Sequence, residues 1–183
     1  EVSDVANAVK DCADAIMLSG ETAVGKHAVA AVGVMVETAL KIEAYLAETR
    51  TIDPMNLFFK DEPDINAGIT YSANRMVELL KARAMVVFTH SGGTAKMVAS
   101  HKPMVPVFAF TPSLHRARLL NLIRGTVPFV VEEDKHLLLH MEQLIIMLKK
   151  RRLLKKGDRV VITTGIPVGI PNWTNIIRVE VVP

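Results

Sequence analysis

The chain has 183 residues, half of them hydrophobic, with a mean hydropathy of +0.27, which suits one domain or one and a fraction around a real core. A net charge of +3 and 5% aromatics are too little to argue for a nucleic-acid partner. The single cysteine, Cys12, excludes an intramolecular disulfide, and with no signal-peptide pattern and no long apolar run the chain reads as cytoplasmic, without a membrane segment.

The first residue is Glu1, not Met, and the chain opens inside a helix-like pattern, which points to a piece of something longer. Ser3 or Asp4 suits the N-cap of a short helix with Val5, Ala6 and Val9 on one face. Ala15-Ile16-Met17-Leu18 is a continuous apolar run and predicts a strand buried on both faces, as in a parallel sheet. A polar loop follows, Ser19-Gly20-Glu21-Thr22, and then a long helix with Val29, Val32, Val36, Leu40 and Leu46 toward a core. One strand is no domain; it must add to a sheet that this sequence does not contain. Asp53-Pro54, Asp61-Glu62-Pro63-Asp64 and Asn66 mark a connector. Within it Leu57-Phe58-Phe59 is expected to pack on a neighbour. The expected division is therefore 1–48, a connector over 49–66, and a second domain over 67–183.

The second domain alternates regularly. A helix over 67–82 shows Ile69, Met76, Val77 and Leu80 toward a core, and a strand follows over 84–89. Next come a turn, a helix to His101, and a strand over 105–110 that Pro106 assigns to a strand start or an edge. A helix begins near Ser113 and stops at Gly125. A third strand over 127–131, a long helix over 134–154 and a fourth strand over 159–164 complete a βαβαβαβ order. A Gly- and Pro-rich loop over 165–175 is too short for a helical crossover, so the last strand, 176–182, is expected antiparallel. The fold class is α/β: an open, mostly parallel five-stranded sheet with helices on both faces.

The chemistry concentrates where the strand over 84–89 meets the next helix. Thr89, His90, Ser91, Gly92, Gly93 and Thr94 combine three hydroxyls and two glycines at a helix N-terminus. First-turn N–H groups lack intrahelical partners and the helix dipole favours negative charge there. Glycines let the backbone approach an anion closely. A phosphate site is the favoured reading; an ordinary turn with a Thr N-cap is the plain alternative. Ligands of such sheets bind at the carboxyl ends of the strands, where the 165–175 loop also lies.

Glu1-Val2-Ser3-Asp4-Val5-Ala6-Asn7-Ala8-Val9 and Asp14-Ala15-Ile16-Met17-Leu18-Ser19-Gly20-Glu21-Thr22-Ala23 resemble the last helix–strand–helix stretch of the pyruvate kinase (β/α)8 barrel. Thr89-x-Ser91-Gly92-x-Thr94-Ala95, Lys156-Gly157-Asp158-x-Val160-Val161, Gly165-x-Pro167 and Thr174-Asn175 are similar to that family's C-terminal, effector-binding domain. The resemblance covers nearly the whole chain. It implies the C-terminal regulatory and assembly part of an enzyme that transfers phosphoryl from phosphoenolpyruvate to ADP in glycolysis, giving pyruvate and ATP. It implies a homotetramer assembled partly through this domain. Ser19 to Thr22 would border the substrate cleft, with Glu21 and Thr22 orienting neighbours; that Glu21 only caps the next helix is an equal alternative. The catalytic lysine, the Mg²⁺-binding acids and the K⁺ site of the family lie upstream of this chain. The parent enzyme would use Mg²⁺ and K⁺, and this chain alone would bind neither and be inactive.

By the same resemblance the Thr89–Thr94 turn binds an effector phosphate, and Gly165, Pro167, Gly169, Trp173, Thr174 and Asn175 belong to a lid over it. Relatives that respond to fructose 1,6-bisphosphate often grip the second phosphate with Trp and Arg; those places hold Glu133 and His140 here. The turn has His90 and Gly93 where such relatives often have Lys and Arg. AMP or a sugar monophosphate is therefore the expected effector. A free-standing phosphosugar-binding module and an effector-free tetramerisation domain are the alternatives. His136 and His140, spaced i, i+4, lack a third metal ligand. The basic run from Lys149 to Lys156 suits a helix C-terminus. The nine methionines read as core filler or interface, and Cys12 as structural.

Overall fold

The structure is a computed structural model and describes residues 1–49, 64–132, 137–167, 170 and 173–183. Leu57-Phe58-Phe59, Glu133, His136 and Gly169 therefore lie outside the described residues, as does the side chain of His140. The chain forms two compact units, Glu1–Met55 and Asn56–Pro183.

The first unit holds α1 (Val2–Lys10), α2 (Gly20–Ala23) and α3 (Ala28–Thr49). Helices α1 and α2 both pack on α3, and Val9 is the buried residue of α1. The expected strand at 15–18 does not form: these residues carry no ladder, and Met17 is 85% exposed. A strand is held by hydrogen bonds to its neighbours, and among the described residues this unit has no other strand to supply them. The core-facing stripe expected on α3 is likewise uncovered. Val29, Val32, Val36 and Leu40 are exposed, because a wide apolar stripe buries only against a second layer.

The second unit begins with α4 (Ile65–Leu80) and continues β1 (Ala84–Phe88), α5 (Gly93–Ser100), β2 (Val107–Thr111), α6 (Leu114–Leu120), β3 (Thr126–Val130), α7 (Leu137–Lys150), β4 (Arg159–Thr164) and β5 (Ile176–Val181). The sheet order is β3-β2-β1-β4-β5, with β1 to β4 parallel and β5 antiparallel to β4, as the short 165–175 loop requires. Helix α4 starts earlier than its apolar period suggests. The Asp64 carboxylate accepts the Asn66 N–H at 2.8 Å and caps the helix, so Asp64 and Asn66 belong to a helix start and not to a connector. Pro106 falls just before β2, where its missing N–H costs no ladder bond.

Side chains alternate across the sheet with period two. Val86, Phe88, Phe108, Phe110, Val160 and Ile162 face α7 through Met141, Ile145 and Leu148. Met85, Val87, Val107, Ala109 and Val161 face Ala73 and Val77 of α4, Ala95 and Val98 of α5 and Leu120 of α6. The chain winds from β1 outward to β3 with its crossover helices on one face. It then returns through α7 on the other face to place β4 beside β1. Right-handed crossovers in both directions demand this split. The winding direction therefore reverses between β1 and β4.

Candidate functional site

That reversal opens the sheet edge beyond the carboxyl ends of β1 and β4, the position at which open α/β sheets hold ligands. The 89–94 turn leaves β1 there and the 165–175 loop leaves β4. Adjacent pairing of Val87 with Thr163 makes the two segments neighbours.

The turn is built from its own hydroxyls. Thr89 Oγ1, buried, accepts the Gly92 N–H at 2.9 Å, and Ser91 Oγ accepts the Gly93 N–H at 3.4 Å. Gly92 has φ +90°, a left-handed conformation that lets the backbone reverse into α5. The first bond into the helix is Lys96 N–H to Gly92 O at 3.0 Å, so the amides of Thr94 and Ala95 precede it at the positive end of the dipole. Thr94 Oγ1 lies 2.7 Å from Thr174 Oγ1, both side chains buried. The six residues singled out from the sequence thus divide. Thr89, Gly92 and Thr94 are buried parts of the scaffold, whereas His90 is exposed and Ser91 and Gly93 are half-buried.

The loop is stapled at its base by Asn175. Its Oδ1 accepts the Ile166 N–H at 2.9 Å and its Nδ2 donates to Ile166 O at 2.8 Å. Trp173 Nε1 donates to the same carbonyl at 2.9 Å. A Cβ on Gly165 would stand 1.6 Å from the Trp173 carbonyl oxygen, so only glycine fits where the two legs of the loop cross. Pro167 is exposed, Trp173 is 37% exposed, and Thr174 is buried against the turn.

Two participants were missed from the sequence. Asn66 Oδ1 accepts the Thr174 N–H at 2.6 Å. Buried His101, at the far end of α5, pairs through Nε2 with Thr70 Oγ1 at 3.0 Å. The Asp-x-Asn step at 64–66, ahead of an apolar period, was the available signal for the first; nothing local signals the second.

Burial holds the His101 imidazole below its ordinary pKa. The unfolded chain then binds the proton more readily than the folded one. The stability this gives is complete above the unfolded value of about 6.5 and falls as pH drops through the folded value. We expect urea midpoints to decline more steeply below pH 6.5 for the wild type than for His101→Gln, compared by titrating both at several pH values.

In the first unit, Glu21 Oε2 accepts the Ser19 N–H at 2.9 Å, and Thr22 Oγ1 donates to Ser19 O at 3.3 Å. Hydrogen bonds from its own and the Ser19 backbone hold the Glu21 carboxyl below the usual range. Locally Glu21 acts as a cap of α2. Among the described residues no group of three or more His, Cys, Asp or Glu could hold a metal ion. Among the same residues no helix is long and apolar enough to cross a membrane.

The family model described as the pyruvate kinase alpha/beta domain matches residues 67–180, more than half of the chain. The chain belongs to the pyruvate kinase family. The pyruvate kinase barrel-domain model matches residues 1–32. The pyruvate kinase of Thermotoga maritima is 35% identical over 182 residues, covering 98% of this chain and 38% of that protein. That of Lachancea kluyveri is 37% identical over 185 residues, covering 98% of this chain and 37% of that protein. The chain therefore spans under two fifths of the length of these pyruvate kinases. A crystal structure of a pyruvate kinase from Cryptosporidium parvum superposes with a TM-score of 0.83 at 26% identity, covering 100% of this chain and 36% of that one. The mixed five-stranded α/β sheet is that of the pyruvate kinase C-terminal domain.

Proposed function

We propose that this chain is the C-terminal regulatory and assembly part of a cytoplasmic pyruvate kinase subunit and that its 89–94 turn binds a phosphate monoester effector. The parent enzyme would transfer phosphoryl from phosphoenolpyruvate to ADP with Mg²⁺ and K⁺ and assemble as a homotetramer through this domain. The chain by itself would be inactive, its catalytic lysine and metal ligands lying in residues it does not contain.

The Thr94–Thr174 hydrogen bond carries this reading. It ties the helix N-terminus to the 165–175 loop across the point where the sheet reverses its winding. A phosphate seated at the Ser91 and Thr94 amides would meet dipole and hydroxyl donors from one side. The loop would close over the remainder of the ligand. Exposed His90 and side-chain-free Gly93 offer little to a second phosphate, which favours AMP or a sugar monophosphate over fructose 1,6-bisphosphate. Such a ligand alters substrate affinity by holding one arrangement of domains and subunits over another, to the extent that it binds the two unequally.

One observation favours the effector-free assembly reading. Thr89 and Ser91 already occupy the Gly92 and Gly93 amides. Calorimetric titration with AMP, ribose 5-phosphate, glucose 6-phosphate and fructose 1,6-bisphosphate separates the two. We expect a monophosphate to bind and Ser91→Asp to weaken it at least about tenfold, because a carboxylate then faces the phosphate. Binding by none of the four, in the chain and in the tetrameric parent, would leave only the assembly role.

A further inference from the structure

We propose that Asn66 is a positioning residue for the ligand turn: its amide, aimed by Asp64, holds the return leg of the 165–175 loop and through it sets the Thr94 hydroxyl. The proposal rests on the phosphate reading for its consequence, but not for its geometry.

The amide has one orientation. Asn66 Nδ2 donates to Asp64 Oδ1 at 3.0 Å, and the Asn66 backbone N–H donates to the same oxygen at 2.8 Å. A flipped amide would set its oxygen against the carboxylate and its NH₂ against the Thr174 N–H, two repulsive contacts. Aimed as it is, Oδ1 receives the Thr174 N–H at 2.6 Å. Thr174 is only 1% exposed, so loss of that acceptor leaves an amide that water does not readily reach. The Thr174 hydroxyl in turn meets Thr94 Oγ1 at 2.7 Å.

The first two turns of α4 therefore grip α5 at both ends. Asn66 acts on its N-terminus through Thr174. Thr70, whose hydroxyl also donates to Asn66 O at 2.8 Å, meets His101 at its C-terminus.

Trp173, the one tryptophan, precedes Thr174 and reports on the loop without any ligand. With the full chain, we expect Asn66→Ala to raise iodide quenching of Trp173 and to weaken AMP binding about five- to tenfold, the effect of one hydrogen bond to a buried amide. Asn66→Asp sets two carboxylates side by side and should weaken it further. Adding Asp64→Asn to Asn66→Asp restores a donor–acceptor pair and should return both readouts to within about twofold of wild type, a non-additivity that general destabilisation does not produce. Unchanged Trp173 quenching in Asn66→Ala would overturn the proposal, as would failure of the exchanged pair to recover. If the wild type binds no AMP, the phosphate reading fails while Trp173 quenching still decides the role of Asn66. If Asn66→Ala does not fold by circular dichroism, the exchanged pair decides it.

Discussion

Gly165→Ala is expected to displace the 165–175 loop from the ligand turn and to lower stability by about 3 kcal/mol, the upper range for forced overpacking. The added methyl would stand 1.6 Å from the Trp173 carbonyl oxygen, a backbone atom that no rotamer change moves aside. The strands cannot yield, since Thr164 is buried and paired with β5. The easier relief is for the Trp173 leg to swing away. That motion breaks the Trp173 and Asn175 bonds to Ile166 and takes Thr174 from Thr94. Urea denaturation measures the loss, and Trp173 emission should shift to the red as the indole enters water. An unshifted emission maximum with wild-type stability would contradict the crossing of the two legs.

Phe110→Ala should cost about 3–5 kcal/mol, the range for truncating a buried phenylalanine. Phe110 is 1% exposed on β2 and lies between two rings, with Phe88 and Phe129 each stacked at 5.3 Å between centroids. Removing the middle ring leaves a cavity lined by rigid strands, which close over it poorly. The same face carries Met141, Ile145 and Leu148 of α7, so α7 should loosen first. Urea unfolding followed by far-UV circular dichroism tests the magnitude. The 89–94 turn should be undisturbed, because α5 rests on the opposite face through Ala95 and Val98.

Much of the second unit is legible in order along the chain. Val86-Val87-Phe88 and Val160-Val161-Ile162 are strands because continuous β-branched and aromatic runs of this length fit a sheet covered on both faces, and helices do cover both. The antiparallel last strand follows from a loop too short for a crossover. The same reasoning failed at Ala15-Ile16-Met17-Leu18. An apolar run states a tendency to be buried in a sheet, and hydrogen bonding to neighbouring strands decides whether it becomes one. The stripe of α3 is exposed for a different reason: among the described residues no second layer covers it.

The sequence alone determined the α/β order, the turn at 89–94 with its hydroxyls and glycines, and the resemblance to pyruvate kinases that the family match bears out. These are local properties: side-chain period, backbone freedom at glycine and the run of residues in one turn. Only the tertiary structure decided which hydroxyls are scaffold and which stand open, why residue 165 must be glycine, and that Asn66 reaches Thr174. Thr94 and Thr174 are 80 positions apart, and Asn66 and Thr174 are 108 apart. Contacts at such separations leave no period in the chain. They exist because right-handed crossovers bring β4 beside β1, and that placement belongs to the whole sheet.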